Sequence, residues 1–417
     1  MSTVYRRLRG AFRAPRASVP STPKATTASE RNDNRKSKMK YLFKERKLRT
    51  LVEKFKQSSE TSWFRARHAI YFDTVRRLAS AKKYSWIEEI LEAQKKYKNI
   101  TEEGFAIRLM ILYGKAGMFD HAHKLFDEMP QLNCERTVRS FNALLAACVD
   151  SVKFDKVEEI FRELPQKLSI NPDEVSYNTL VKAFCGKGSL DSALSMIDEM
   201  ERNGLGPNLI TFNTLLDAFY QSSRFSDGEN VWALMESKSI APCIKSYNAR
   251  LRGLVSEKRM PEAVELIEEL RTKGPQTDVF SFNALIKGFC DDGNLEEGMK
   301  WYRELMKNDD CAPNRMTFAA LVPAVCEAGD FDLALELCNE AITSSSGADV
   351  TLFRPVVDGL VKESKVEEAT MLVKLMKQNG YSRCKFNLPS DSGLVESKVE
   401  EATELVSEAS LNLPSDK

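Results

Sequence analysis

Five asparagines carry the first chemical signal in the chain. Asn142, Asn178, Asn213, Asn248 and Asn283 stand in the phrases SFNALL, SYNTLV, TFNTLL, SYNARL and SFNALI, at intervals of 36, 35, 35 and 35 residues. A carboxamide offers an acceptor oxygen and two donor hydrogens, so each of the five can present both a donor and an acceptor to one partner. Inside a helix Asn costs about 0.5 kcal/mol relative to a good helix former, and five such costs at one register need a reason. A second grouping lies upstream, in RNDNRKSKMKYLFKERKLRTLVEKFKQ. There Arg35, Lys36, Lys38, Lys40, Lys44, Arg46, Lys47 and Arg49 are suited to phosphate contact. Catalytic chemistry finds no comparable grouping. The nine cysteines are scattered without a C-x-x-C pair, and His121 and His123, two apart, point to different sides of a helix. No Walker loop, GxSxG or paired-carboxylate site occurs, so no catalytic residue, metal, cofactor or small-molecule substrate is expected.

The fixed interval defines the elements that must hold these residues. Tyr177, Leu180, Val181 and Phe184 fall at i, i+3, i+4 and i+7, one apolar stripe on a helix that ends near Gly186 and Gly188. Leu190, Ala193, Ile197 and Met200 make a second stripe, which stops at NGLGPN, where Gly204 can take the left-handed conformation and Pro207 forbids continuation. Each unit is a helical hairpin that buries its apolar face against its neighbours, the signature of a solenoid. Units start near 68, 103, 138, 174, 209, 244, 279, 315 and 350, and nothing along this span alternates with period two. The expected fold is all-α, a superhelix of about nine 35-residue helix-turn-helix repeats over residues 68–384.

The ends differ from the array. Residues 1–30 hold five arginines and one lysine among many Ser and Thr, with no acid before Glu30, the composition of a mitochondrial transit peptide or of an unstructured tail. Residues 31–67 form a basic arm or helix, and Leu48, Leu51, Val52 and Phe55 in it keep helical spacing, so a solvated amphipathic helix competes with phosphate contact. Residues 1–67 carry 19 Lys and Arg against 5 Asp and Glu, leaving 42 against 55 for the rest. The array is therefore acidic, unlike a strong free-standing binder of nucleic acid, and residues 68–417 are expected to fold without the arm. In residues 385–417, GLVESKVEEAT repeats GLVKESKVEEAT of the last unit, which suggests an acidic capping helix or a tail. No apolar run approaches the ~18 residues needed to span a membrane. Scattered cysteines fit a reducing compartment.

With these motifs in hand, the array resembles the P-type pentatricopeptide repeat family. The resemblance implies a right-handed superhelix that reads single-stranded RNA, each base by the fifth residue of a unit together with its last, while the second residue packs against the base. Carried over, the pairs are Asn142 with Asp173, Asn178 with Asn208, Asn213 with Cys243, Asn248 with Asp278, and Asn283 with Asn314. Asn with Asp implies U, and Asn with Asn implies C or U, giving a pyrimidine tract of about five nucleotides. Asp173, Asn208, Asp278, Asn314 and Asp349 also stand directly before helices, where the same residue types are preferred N-caps. The pattern departs from the family at Ile107 with Thr137, Ala319 with Asp349 and Arg354 with Cys384, at Cys243, and at Arg139 and Lys245 in place of the apolar second residue. The zinc deaminase-like and nuclease-type domains of the family's catalytic members are absent from this sequence.

The chain, including EGFAIRLMILYGKAGMFDHAHKLFDEMP and CERTVRSFNALL, further resembles the plant mitochondrial subgroup whose members belong to the small ribosomal subunit. That implies a non-catalytic protein of the mitochondrial matrix with ribosomal RNA and mitochondrial ribosomal proteins as partners and no membrane contact. The alternative is a trans-acting factor that binds one mitochondrial transcript for its stability, processing or translation.

Overall fold

The computed structural model describes residues 41–381 apart from 274, 309 and 345–348, together with 386 and 388. The transit-peptide reading, the residues Arg35, Lys36, Lys38 and Lys40, Cys384, and nearly all of the C-terminal segment lie outside the described residues. Every regular element among those described is helical.

The chain forms two compact units that meet in sequence at Lys153 and Phe154. In the first, a helical turn at 41–44 precedes α1 (Leu48–Ser59), α2 (Ser62–Arg65), α3 (His68–Ser80), α4 (Tyr84–Glu92), α5 (Glu103–Lys115), α6 (Phe119–Glu128) and α7 (Val138–Asp150). The second begins with α8 (Phe154–Leu168). Five hairpins follow: α9 (Glu174–Lys187) with α10 (Leu190–Arg202), α11 (Leu209–Gln221) with α12 (Phe225–Ser237), α13 (Ile244–Ser256) with α14 (Met260–Lys273), α15 (Val279–Asp291) with α16 (Leu295–Met306), and α17 (Arg315–Glu327) with α18 (Phe331–Thr343). A last hairpin pairs α19 (Val350–Lys362) with α20 (Val366–Gln378).

The stripes decide the packing. Tyr177, Leu180, Val181 and Phe184 of α9 and Leu190, Ala193, Ile197 and Met200 of α10 are all buried. In the second unit the first helix of each hairpin packs on its own second helix and on the first helix of the next hairpin. One continuous apolar core therefore runs from Leu251 to Met376. The period is also written in the backbone. Left-handed residues close the turn between the helices of each hairpin at Lys82, Gly117, Gly188, Ser223, Lys258, Gly293, Gly329 and Ser364, and Val152 takes the same conformation between α7 and α8. At Gly188 (φ 81°) the Ser189 N–H donates to the Phe184 carbonyl at 2.9 Å and the Gly188 N–H to that of Cys185 at 3.0 Å, which satisfies the helix end. Val152 holds φ 58° with a β-branched side chain 68% exposed, so its strain is not repaid by packing.

Residues 41–67, the described part of the basic segment, are integral to the first unit. Leu51, Val52 and Phe55 of α1 and Phe64 of α2 are at most 2% exposed. Phe55 meets Phe64 and Tyr71 edge to face, with ring centres 5.2 and 4.8 Å apart. Beneath them the Tyr71 hydroxyl donates to Gln94 Oε1 at 2.8 Å, and Gln94 Nε2 donates to Ser59 Oγ at 3.3 Å and to the Ile90 carbonyl at 2.9 Å. Burial pushes the Tyr71 phenol up to about 12. Arg108, 4% exposed, donates to the Arg65 carbonyl at 2.6 Å and lies against the rings of Tyr71 and Phe105. The apolar stripe of α1 is thus docked and not solvated. Removing α1 and α2 would open this aromatic cluster to water, which weighs against the expectation that residues 68–417 fold without the arm.

Candidate nucleic-acid interface

Four first helices of the second unit, α9, α11, α13 and α15, carry an asparagine as their fifth residue, and stacking brings that amide against the next hairpin. Asn178 Nδ2 donates to Asn208 Oδ1 at 3.3 Å, and the Thr211 hydroxyl donates to Asn178 Oδ1 at 2.6 Å. Asn213 repeats the arrangement, donating to Cys243 Sγ at 3.4 Å and accepting from Ser246 Oγ at 2.6 Å. Asn248 donates to Asp278 Oδ1 at 3.0 Å and accepts from Ser281 Oγ at 2.8 Å. Asn283 donates to Asn314 Oδ1 at 3.1 Å and accepts from Thr317 Oγ1 at 2.7 Å. Thr211, Ser246, Ser281 and Thr317 are fully buried, so each of these amides ties the buried start of the following helix.

The partners of these amides also work on their own helices. Asn208 Oδ1 accepts the N–H groups of Ile210 and Thr211, Asp278 Oδ1 those of Phe280 and Ser281, and Asn314 Oδ1 those of Met316 and Thr317. Capping and pairing are therefore one arrangement in which a single oxygen serves both. Cys243 is the chemical exception. Burial opposes ionisation of its thiol, but hydrogen bonds from the Ser246 backbone, the Asn213 amide and the Ser246 hydroxyl outweigh that and hold it below its ordinary value. Asn142 stands on α7 in the first unit, and Asp173 caps α9 in the second by accepting the Ser176 N–H at 3.0 Å.

Where the asparagine is missing, a residue at the start of the helix takes over. In the first unit the fifth residue of α5 is Ile107, and Glu103 closes the seam instead. Its Oε1 accepts from Thr137 Oγ1 at 2.7 Å and from the N–H groups of Thr137 and Ser140, both at 3.1 Å. Burial resists its ionisation, yet these donors win and hold the Glu103 carboxyl below its ordinary range. In the second unit, with Ala319 at the fifth position, Arg315 reaches Asp349 at 3.1 Å.

Sequence reasoning left out of its site residues a comb of apolar side chains beside the amides. Val175, Ile210, Phe280 and Met316, each second in its helix, are 56, 64, 59 and 55% exposed. The signal was present: an apolar residue just inside the N-terminus, outside the buried stripe. Lys245 interrupts the comb at α13.

Of the proposed phosphate contacts, Lys44, Arg46 and Lys47 are exposed. Arg49 serves the docking of α1, pairing with Glu89 at 3.2 Å and Glu53 at 3.4 Å and lying 5.7 Å from the centre of the Trp86 ring. Among the described residues no group of three or more His, Cys, Asp or Glu could hold a metal, and no helix is long and apolar enough to cross a membrane.

Stacked hairpins of constant period, tied through an amide row with an exposed apolar comb beside it, define a helical repeat protein. The family model described as PPR repeat family matches residues 172–221, 242–291 and 277–327, and the model described as PPR repeat matches 108–134, 139–167, 210–240 and 353–381. Together they cover more than half of the sequence, and the chain belongs to the pentatricopeptide repeat family.

Among its relatives is the small ribosomal subunit protein mS79 of Arabidopsis thaliana, 54% identical over 189 residues, 45% of this chain and 45% of that protein. Small ribosomal subunit protein mS78 of the same plant is 51% identical over 212 residues, 49% of this chain and 53% of that protein. A mitochondrial pentatricopeptide repeat-containing protein, also of Arabidopsis thaliana, is 41% identical over 155 residues, 37% of each chain. The chain spans about half the length of the first two curated relatives.

Proposed function

We propose that the protein is a non-catalytic, RNA-contacting scaffold of the mitochondrial matrix, a subunit of the mitochondrial small ribosomal subunit that touches ribosomal RNA and ribosomal proteins. The observation that carries this reading is the occupancy of the amide row. Asn178, Asn213, Asn248 and Asn283 each commit both ends of the carboxamide to the next hairpin, leaving one N–H and one lone pair for a base. Such a row gives its energy first to the architecture and only second to sequence reading. The likeness to mS79 and mS78 supports placement in a small ribosomal subunit, and the likeness to a mitochondrial relative, with the Arg-rich first 30 residues, supports the compartment.

The test is sedimentation of the native protein from RNase-free mitochondrial lysate. It should travel with the small ribosomal subunit at about 0.3 M salt, where exposed charge pairs are largely screened and packed interfaces persist. Recovery only in light fractions would sink the ribosomal reading.

The exposed comb of Val175, Ile210, Phe280 and Met316 favours a second reading, a transcript-binding factor that wedges bases between apolar side chains. On that reading the code pairs, from Asn142 with Asp173 to Asn283 with Asn314, contact bases. Replacing Asn142 and Asn248 with Ala should then weaken binding of a U-containing pyrimidine oligonucleotide at least tenfold.

A further inference from the structure

A cleft of about 640 Å³ opens in the first unit between the 43–46 segment and α3. Phe43, Lys44 and Arg46 form one wall, and Arg76 and Arg77 rise from the other. Its two carboxylates are already engaged. Glu45 accepts from Lys54 Nζ at 2.5 Å and from the Lys47 N–H at 3.0 Å, while Asp73 pairs with Arg76 at 2.6 Å and Arg77 at 3.7 Å.

Arg77 acts as a positioning residue. Its guanidinium donates to the carbonyls of Leu42 and Glu45, which fixes the first wall against α3. Lys44 and Arg46 are exposed and have no ion pair among the described residues, and the Arg76 side chain is 73% exposed. The cleft therefore carries a surplus of positive charge that no described residue neutralises.

Aromatic rings accompany that charge. Phe43 is 39% exposed inside the cleft, and Tyr41, one residue before Leu42, is 61% exposed with Lys54 Nζ 4.0 Å from its ring centre. Solvent-facing rings beside a surplus of cations are what a single-stranded nucleic acid requires: cations track the backbone and rings stack on bases. A duplex hides its base faces, and an acidic peptide has none to stack.

We infer that this cleft docks a single-stranded RNA segment, with Lys44, Arg46 and Arg76 on phosphates and Phe43 stacked on a base. The inference rests on the RNA-contacting reading above, but it moves the principal RNA contact from the amide row to the first unit. The surrounding charge agrees, because from residue 41 to 153 Lys and Arg outnumber Asp and Glu 21 to 14, whereas from 154 to 381 they are outnumbered 25 to 37.

The experiment measures fluorescence anisotropy of a labelled 12-nucleotide RNA of mixed sequence with the full chain, across a salt series. Lys44→Gln with Arg46→Gln should lower affinity about tenfold at low salt and flatten the slope of log K against log salt by roughly 1.4, two phosphates' worth for a single strand. Phe43→Ala should lower affinity at least fivefold with the slope unchanged, since stacking releases no counterion. A blunt RNA duplex and poly-glutamate should bind less tightly than the single strand and should not respond to Phe43→Ala. Circular dichroism confirms that the variants, at exposed positions, keep their helices.

If the wild type binds the single strand and both variants bind equally well, the cleft assignment fails while the RNA-contacting reading stands. If the wild type binds no RNA, both fall. A slope change with no effect of Phe43→Ala and equal binding of poly-glutamate would make the cleft a general polyanion patch and overturn the single-strand assignment.

Discussion

The two units solve the same problem, closing the seam between successive hairpins, by different chemistry. In the second unit a neutral amide recurs over four successive hairpins in the same geometry, with a thiol as its partner at Cys243, before the Arg315–Asp349 pair takes over. In the first unit the tie is the carboxylate of Glu103, and the remaining cohesion comes from an aromatic cluster, the Tyr71 and Gln94 hydrogen bonds, and Arg108 held by one carbonyl and two ring faces. The regular unit is acidic and the irregular one basic, and each differs in what it leaves exposed. Tyr41, Phe43, Phe72 and Tyr84 are exposed in the first unit, whereas the exposed comb in the second is mainly aliphatic. A repeat can thus keep its geometry while its polar ties are replaced, which frees individual units to acquire different surfaces.

The largest test of this contrast removes residues 1–67. Leu51, Val52, Phe55 and Phe64 are at most 2% exposed, and losing four such side chains removes on the order of 8 kcal/mol from the first unit. Thermal melting followed by circular dichroism, with limited proteolysis, should show the first unit cleaved within the 68–153 region while the 154–381 region stays helical and protected. Unchanged melting would mean that α1 and α2 are dispensable and the contrast overstated.

A smaller loss should come from breaking the regular ties. Asn283→Ala takes the acceptor from the buried Thr317 hydroxyl, at about 1–2 kcal/mol, and Asn248→Ala takes one of two from Ser281, which keeps Asp278 Oδ1 at 3.1 Å and so loses less. Improved helix propensity offsets part of that, about 0.5 kcal/mol per site. Urea unfolding should therefore show a lower midpoint for the second unit, and an unchanged midpoint would reduce the amides to bystanders.

Glu103→Gln sharpens the contrast through pH. The Glu103 carboxyl is held below its ordinary value of 4.5, so its stabilisation is fully present above that pH and is lost as the pH falls through the lower folded value. Gln keeps an acceptor but no charge, so the variant should be less stable by about 1 kcal/mol at neutral pH. The two stability curves should converge in acid. Parallel curves would show that the charge contributes nothing to the seam.

The smallest expected effect has the opposite sign. Val152→Gly relieves left-handed strain of ~1–2 kcal/mol at an exposed position, against a glycine entropy cost of ~0.5–1 kcal/mol, so a gain of about 0.5 kcal/mol is expected. Calorimetry on the full chain checks it, and a loss would mean that the valine side chain contributes packing its exposure does not reveal.

Much of the architecture could be read from residues near one another in the chain. The stripe of Tyr177, Leu180, Val181 and Phe184 specifies a buried helical face without knowledge of its partner, and Gly188 and Gly204 adopt the left-handed φ, 81° and 74°, that ends such helices. The asparagine row was equally visible as a row. Its use was not, because each amide meets groups 30 to 34 residues away that only stacking makes adjacent. For the same reason capping and pairing looked like rival explanations for Asn208, Asp278 and Asn314, although one oxygen serves both.

The sequence by itself determined the repeat, its period, its helical hairpins and the residue types at each register, since these depend on local propensity and on a 3.6-residue pattern of burial. Only the tertiary structure decided which polar groups remain available. Stacking consumed half of each amide, drew Arg49 to Glu89, docked the stripe of α1 onto Tyr71, and left Lys44 and Arg46 exposed beside Phe43. The physical reason is that hydrogen-bonding capacity and burial belong to contacts between elements, and a sequence pattern specifies a face without specifying what will cover it.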